Sequence, residues 1–428
     1  MRSTGSLARS TGNLARSTGG LAKTAGAHLT ILTTPRRRVP WSEEFYLPPA
    51  ELGKLHPGEL IRYEPMHAYL LPGVRLRARA FRLLYRSTGA AGEATAVSGT
   101  LLLPDGIRRP RPAPLIGYAV GTHGIADRAA PSRLLSTGHD WEASMVALVL
   151  ARGFALVATD YQGLGTPRDH TFMVGRALGN NVLDAVRAAR WLAGAEPAAA
   201  TLDADGAVAV MGYSEGGVAA AWAGQLQPLY APELTLAGVA AGAAAADVEL
   251  VAPALDRSRL KFFLAYGAIG YAAAYPDLEL DRYLDERGRR MVSALRDSTV
   301  LQAAVIGVRN GRLDKLSNPS VLDLPQWRAR LRENRLGTLA PQAPVLLHHA
   351  RGDQIVAFQQ SQQLYEDWRA LGVKTSLHVT RGGFDHLSGG LAGAPVALDW
   401  LAGLFGKPAL GVRTPLAAGT ALGPGVKA

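Results

Sequence analysis

The chain has 428 residues, no cysteine, 46 Lys and Arg against 35 Asp and Glu, and a net charge of +11. With 48% apolar and 19% charged residues it can bury a sizeable core, which excludes wholesale disorder; the lack of cysteine excludes disulfides, thiol catalysis and any Cys-based metal site. Seven basic residues and no acid within 1–40 account for +7 of the charge and leave +4 on the rest, so no nucleic acid is expected as a partner of the body.

At about 150 residues per domain the length suits three domains, or one large α/β domain with an insertion. The N-terminus repeats: Arg2-Ser3-Thr4-Gly5-Ser6-Leu7-Ala8 recurs from Arg9 and Arg16 and decays from Lys23. Each repeat offers one Leu and at least one Gly, which costs about 1 kcal/mol in a helix, and this argues against a coiled coil. A disordered basic tail is expected over 1–40, with a phosphate- or membrane-binding arm as the alternative. No signal peptide is legible, since Leu29–Leu32 falls far short of a ~7–15 residue apolar region. The most apolar run, Phe262–Tyr275, contains Gly267 and Gly270 and is followed by Pro276. A membrane span needs about 20 residues, so no transmembrane segment is expected.

From Val97 on, short apolar runs alternate with helical patterns. Strands are predicted at Val97–Leu103, Pro114–Val120, Phe154–Thr159, Ala207–Met211, Leu236–Ala240, Val345–His349 and Thr375–Thr380. Helices are predicted at Trp141–Ala151, Gly179–Ala193, Gly216–Gln227 and Gln359–Leu371. Continuous apolar strands separated by helices imply a mostly parallel sheet flanked by helices. Residues 249–340 break the rhythm with helical patterns such as Tyr283–Leu295 and Trp327–Arg335. The expected layout is therefore an α/β core over 41–248 and 341–408, a helical cap insertion over 249–340, and a flexible tail over 409–428.

Gly212-Tyr213-Ser214-Glu215-Gly216 is a G-x-S-x-G string between an apolar strand and an Ala-rich helix. A nucleophilic serine needs a sharp strand-to-helix turn, and Gly212 and Gly216 remove the Cβ atoms that would clash there. The following helix N-terminus presents N–H groups to developing negative charge. A serine hydroxyl also needs a base oriented by an acid. In this topology the chain order is Ser, acid, His, which directs attention to His386, in a loop after the last strand pattern, as base. The acid is expected on the turn after the preceding strand, at Asp353, with Asp385 as the rival. His348, His349 and His378 sit in or at the ends of strands, where packing is the simpler account. One oxyanion donor would be the main-chain N–H of Glu215; a second is expected from the Gly121-Thr122-His123-Gly124 loop.

Several ordered strings make the chain similar to a known family. Phe45-Tyr46-Leu47-Pro48-Pro49, Val97-Ser98-Gly99-Thr100, Ala130-Pro131-Ser132, Asp160-Tyr161-Gln162-Gly163-Leu164-Gly165, the Ser214 string and Asp385-His386-Leu387 together resemble the secretory lipase family of bacteria and fungi. The resemblance implies an α/β-hydrolase fold with a helical cap, acting on carboxylic esters, mostly lipids, with no cofactor and no metal. It places Ser214, Asp353 and His386 at the triad positions. The second oxyanion position, an Asp in fungal members, falls near His123, which would then act through its main chain. A lipid or other ester substrate is expected, with a lipid–water interface as a possible partner. The family suggests an extracellular location and the unread signal peptide a cytoplasmic one. A short-chain carboxylesterase or peptidase on the same fold, or a catalytically silent hydrolase-like binding protein, would share these features. Within the insertion, Gly267 and Gly270 either leave room for an acyl chain or belong to a core helix.

Overall fold

The computed structural model describes residues 41–105, 112–309 and 316–406. The tails expected over 1–40 and 409–428 lie outside the described residues. In chain order the elements begin with strands β1 (Leu60–Met66), β2 (Tyr69–Leu71), β3 (Val74–Arg75), β4 (Ala78–Thr88), β5 (Ala94–Pro104) and β6 (Leu115–Ala119). Then come α1 (Pro131–Leu135), α2 (Ala143–Ala151), β7 (Ala155–Thr159), α3 (Gly175–Ala195), β8 (Val208–Tyr213), α4 (Glu215–Tyr230) and β9 (Leu236–Gly242). Helices α5 (Val248–Asp256), α6 (Phe262–Ala274), α7 (Leu280–Tyr283), α8 (Glu286–Arg296), α9 (Val300–Arg309) and α10 (Pro325–Glu333) follow without an intervening strand among the described residues. The chain returns to the sheet with β10 (Val345–Ala350), α11 (Gln359–Ala370), β11 (Thr375–Thr380) and α12 (His386–Leu404).

Nine strands form one sheet in the order β1-β4-β5-β7-β6-β8-β9-β10-β11. From β7 to β11 in that order the neighbours run parallel. β6 and β7 are buried along their whole length, as strands covered on both faces must be. α3 and α4 pack on each other and on the central strands, and α12 packs on β9 and β10. The chain is an α/β fold with a mostly parallel sheet flanked by helices, and the predicted strands and helices fall on observed ones with ends shifted by a few residues.

The sheet also extends beyond the alternation that begins at Val97. β1 and β4 join β5, the strand expected at Val97–Leu103, in an antiparallel edge next to β7. β4 carries Arg79, Arg82 and Arg86 in an otherwise apolar run, which hides it from a hydropathy reading. Arg82 is nevertheless fully buried, paired with Glu64 of β1 and lying 5.7 Å from the Phe45 ring centroid and 5.9 Å from that of Tyr46. The helix expected over Tyr283–Leu295 is α8, which starts three residues later. α7 stops at Tyr283, and Asp285 starts α8 by accepting a 2.6 Å hydrogen bond from the Gly288 N–H. The helices from α5 to α10 bury an apolar cluster around Phe262, Ile269, Leu278 and Trp327, separate from the sheet core. By length and composition α12 is the one described helix apolar enough to cross a membrane. Its Ala397, Leu398 and Leu401 are buried in the sheet core.

Four of the strings that carry the family resemblance meet at one carboxylate. Asp160, at the end of β7, is fully buried. Its Oδ1 accepts from the Ser132 N–H at 2.9 Å, and its Oδ2 accepts from the Ser98 hydroxyl at 2.6 Å and from the Ser132 hydroxyl. Tyr46 completes the chain through a 3.0 Å contact between its hydroxyl and Ser132 Oγ. Burial pushes the Asp160 carboxyl above the usual range, and the serine hydrogen bonds act against that rise. Ser132→Ala should lower stability by about 1–3 kcal/mol, the cost of under-satisfying a buried acceptor, measured by denaturant unfolding.

Candidate active site

The C-terminal ends of the parallel strands deliver the reactive groups to one edge of the sheet, as open α/β sheets generally do. β8 leads directly into Ser214, whose backbone sits at φ 61° and ψ −121°, a conformation that L-residues adopt only under constraint. Crowding explains the flanking glycines. A Cβ on Gly212 would lie 2.2 Å from the Gly216 carbonyl oxygen, and one on Gly216 would lie 2.1 Å from that of Ala119. The Ser214 N–H donates to Gly242 O of β9 at 2.9 Å, which ties the turn to the neighbouring strand.

Ser214 Oγ lies 2.9 Å from His386 Nε2, and His386 Nδ1 lies 2.6 Å from Asp353 Oδ2. The other carboxylate oxygen of Asp353 accepts from the N–H groups of Ile355 and Val356, both at 2.9 Å. Burial alone would raise the Asp353 carboxyl, but hydrogen bonds from His349 and His386 outweigh it and hold the group well below the usual carboxylate range. His386 is not in a loop. It is the first residue of α12, and Asp385 is the N-cap in a capping box with Ser388. The Asp385 carboxylate accepts from the Ser388 N–H at 2.8 Å and hydroxyl at 2.6 Å, so it is committed to the helix end rather than to the imidazole.

Two further histidines brace the surroundings. His170 receives no mention in a motif reading, yet its Nε2 lies 2.9 Å from Glu215 Oε1 and its Nδ1 lies 3.0 Å from Gln162 O. This joins the loop after β7 to the residue that follows Ser214. His123 is buried, with Nδ1 at 2.8 Å from Gly121 O and Nε2 at 3.1 Å from Asp140 Oδ1. Burial would lower its pKa, but Asp140 prevails and raises it to about 9. Its imidazole therefore faces Asp140, and Thr122 is the loop side chain that lines the cavity at Ser214. His348 packs as a neutral ring beside Tyr213, its pKa lowered by burial to about 3. Among the described residues no cluster of three or more His, Asp or Glu is arranged to hold a metal ion.

The cavity at Ser214 has a volume of about 60 Å³ and walls from α5 (Val248, Val251, Leu255) and α6 (Phe263, Leu264, Gly267). The two glycines singled out in α6 differ. A Cβ on Gly267 would meet nothing within 4 Å, whereas one on Gly270 would lie 2.4 Å from Phe172 O and 2.5 Å from Phe172 N. Gly270 is thus a close-packing position and leaves no room for a ligand. A wider depression of about 230 Å³ near Ala90, Tyr275 and Arg330 shares no residue with this cavity.

Gly270→Ala should lower the melting temperature, while Gly267→Ala should hold or raise it, because helix propensity favours Ala where space is open. The His123–Asp140 pair predicts a pH-dependent stability. A folded-state pKa of about 9, above the ordinary 6.5, gives a contribution that is complete below pH 6.5 and is lost as pH rises through 9. Asp140→Asn should therefore show its largest stability deficit below pH 6.5, and the deficit should shrink above pH 9 in unfolding titrations.

The family described as secretory lipase matches residues 129–411. Lipase 10 of Candida albicans is 27% identical over 417 residues, covering 90% of this chain and 86% of that protein. A Mycobacterium tuberculosis protein named a probable inactive lipase is 26% identical over 392 residues, covering 87% and 84%. Among solved structures, Candida antarctica lipase A in its closed state superposes with a TM-score of 0.75 at 22% identity, over 87% of this chain and 88% of that one. The rice cell wall degrading esterase of Xanthomonas oryzae gives 0.65 at 20%, over 80% and 97%. At such identities the structures speak for the α/β-hydrolase fold alone. The family match spans well over half of the chain. This chain belongs to the secretory lipase family and is an ester hydrolase of the lipase and carboxylesterase class.

Proposed function

We propose that the protein hydrolyses lipid esters, triacylglycerols among them, through an acyl-enzyme on Ser214. The observation that carries this reading is the hydrogen-bonded chain Ser214 Oγ–His386 Nε2 and His386 Nδ1–Asp353 Oδ2, at 2.9 and 2.6 Å. Ser214 Oγ attacks the ester carbonyl carbon while its proton passes to His386 Nε2. Asp353 accepts the hydrogen bond from His386 Nδ1–H and stabilises the imidazolium that forms. The carbonyl oxygen becomes an oxyanion facing the main-chain N–H of Glu215 and one from the Thr122–His123 loop. His386 then gives its proton to the departing alcohol, and the same groups reverse their roles when water cleaves the acyl-enzyme.

The acyl group would lie against the α5 and α6 side chains, with residues 249–340 acting as the cap. Each buried methylene contributes about 0.8 kcal/mol, so an apolar wall rewards a longer chain. A second reading, a short-chain carboxylesterase, is favoured by the cavity volume of about 60 Å³. That is below the roughly 150 Å³ that holds a benzene ring. Under the lipase reading, α5 and α6 move apart to admit a long chain.

Ser214→Ala or His386→Ala should each lower turnover of a p-nitrophenyl ester by about 10⁶-fold with little change in melting temperature. A fluorophosphonate probe should label wild type and not Ser214→Ala; an unlabelled wild type would support a silent binding protein. Asp353→Asn should cost about 10⁴-fold. Asp385→Asn should keep most of the turnover and cost up to about 1 kcal/mol as a weakened cap. A series from acetate to palmitate esters, with a triglyceride emulsion alongside, separates the two substrate readings. Activity on the emulsion and on long chains is expected, with Gly267→Leu lowering long-chain more than butyrate turnover. A monotonic fall beyond butyrate with an inert emulsion would leave the short-chain esterase.

A further inference from the structure

His349, at the end of β10, is 1% exposed and lies four residues before Asp353. Its Nε2 is 3.1 Å from Asp353 Oδ2 and 3.0 Å from Val356 O. A carbonyl oxygen only accepts, so Nε2 carries a proton. On the other side, Nδ1 is 2.8 Å from the hydroxyl of Ser361 in α11, itself fully buried. The Ser361 hydroxyl can donate or accept there, so every polar atom of the ring has a partner. The Phe358 ring packs edge-on at 5.7 Å and closes the site.

The carboxylate that receives this donor is sealed, with a side chain 0% exposed. An ionised carboxylate offers about four acceptor positions. Two, on Oδ1, are taken by the N–H groups of Ile355 and Val356. The remaining two, on Oδ2, are shared by His386 and His349. We propose that His349 is a positioning residue for the reaction described above: its Nε2–H, fixed by Ser361 and shared between Val356 O and Asp353 Oδ2, reaches the last acceptor position of Asp353 and aims Oδ2 at His386 Nδ1. The inference rests on the Ser214–His386–Asp353 reading.

The role has an electrostatic side that simple packing lacks. The His349 N–H dipole points its positive end at the oxygen that faces His386. It therefore tempers the pull of Asp353 on an imidazolium. The other charged or titratable groups around the pair are Tyr213 of β8, whose ring lies 5.1 Å from His386 and whose hydroxyl donates to His386 O at 2.7 Å, and the helix-capping Asp385. His348 of β10 stacks on the far side of Tyr213, and Arg351 lies 5.4 Å from the Phe358 ring centroid. None of these donates to Asp353.

The test compares wild type, His349→Leu, His349→Gln, Ser361→Ala and Asp353→Asn, reading kcat and KM against pH on one soluble ester. His349→Leu keeps the bulk and removes the donor. It should lower kcat by about 10–100-fold, the size of one hydrogen bond to a charged group, with KM little changed. The acid limb of its kcat profile should move to higher pH, by up to about one unit, because the untempered carboxylate favours the imidazolium. His349→Gln, which can return an N–H to the carboxylate, should recover part of both effects. If His349→Leu does not fold, Ser361→Ala takes its place. That variant leaves Nδ1 without its hydroxyl and should move kcat and the acid limb in the same sense by a smaller amount. An acid limb and kcat like those of wild type in a folded His349→Leu or Ser361→Ala, with Asp353→Asn nearly inactive, overturns the role of His349 alone. A fully active Asp353→Asn overturns instead the acid assignment on which it rests.

Discussion

The backbone turn at Ser214 is the constraint around which the rest of the structure is arranged. A non-glycine residue at φ 61° carries about 1–3 kcal/mol of strain and persists only where its surroundings overdetermine it. Here close backbone contacts do much of this. Gly216 lets α4 approach Ala119 of β6, Gly217 lets it approach Gly242 of β9, and the Ser214 N–H bonds to that same Gly242. The turn cannot relax without separating α4 from two central strands. In return Ser214 Oγ stands clear of the sheet, beside the N-terminus of α4, where the first N–H groups of a helix lack partners within it.

The loops that flank this turn are held by buried polar pairs rather than by packing alone. His170 bonds to Glu215 and to Gln162 O, joining the β7 loop to the residue after Ser214. His123 bonds to Asp140, and Gly121 N–H to Glu142, fixing the β6 loop on the other side. Such pairs contribute little net stability compared with apolar groups of the same shape, but breaking one leaves a buried charge and is costly. They suit a site that must present donors in fixed directions before any charge develops. The Asp160 cluster serves the same end one layer further out, anchoring Tyr46 and the start of α1 to the end of β7.

The architecture was legible because each core element has a periodicity of its own. Fully buried parallel strands are continuous apolar runs, and the G-x-S-x-G string needs its strand and helix immediately on either side. Of the antiparallel edge only β5 was legible, because β4 buries Arg82 against aromatic rings and Glu64, a partnership that no local pattern announces. The start of α8 was placed too early for a similar reason: the helical pattern was read from Tyr283 on, whereas the Asp285 carboxylate starts the helix.

By itself the sequence determined the fold class, the place of Ser214 at a strand-to-helix turn, and the order in which an acid and a histidine should follow. Only the tertiary structure decided which acid lies against the imidazole. The chain order favours Asp353 and keeps Asp385 as a rival; the parallel register of β10 and β11 carries Asp353 to His386, while the capping box turns Asp385 away. Tertiary contacts likewise gave Gly267 open space and pressed Gly270 against Phe172, directed His123 to Asp140, and set His349 on the carboxylate. The reason is physical. Periodicity and turn chemistry act over a few residues and are written locally, whereas the direction of a side chain at the end of a strand depends on what the neighbouring strands and helices place beside it.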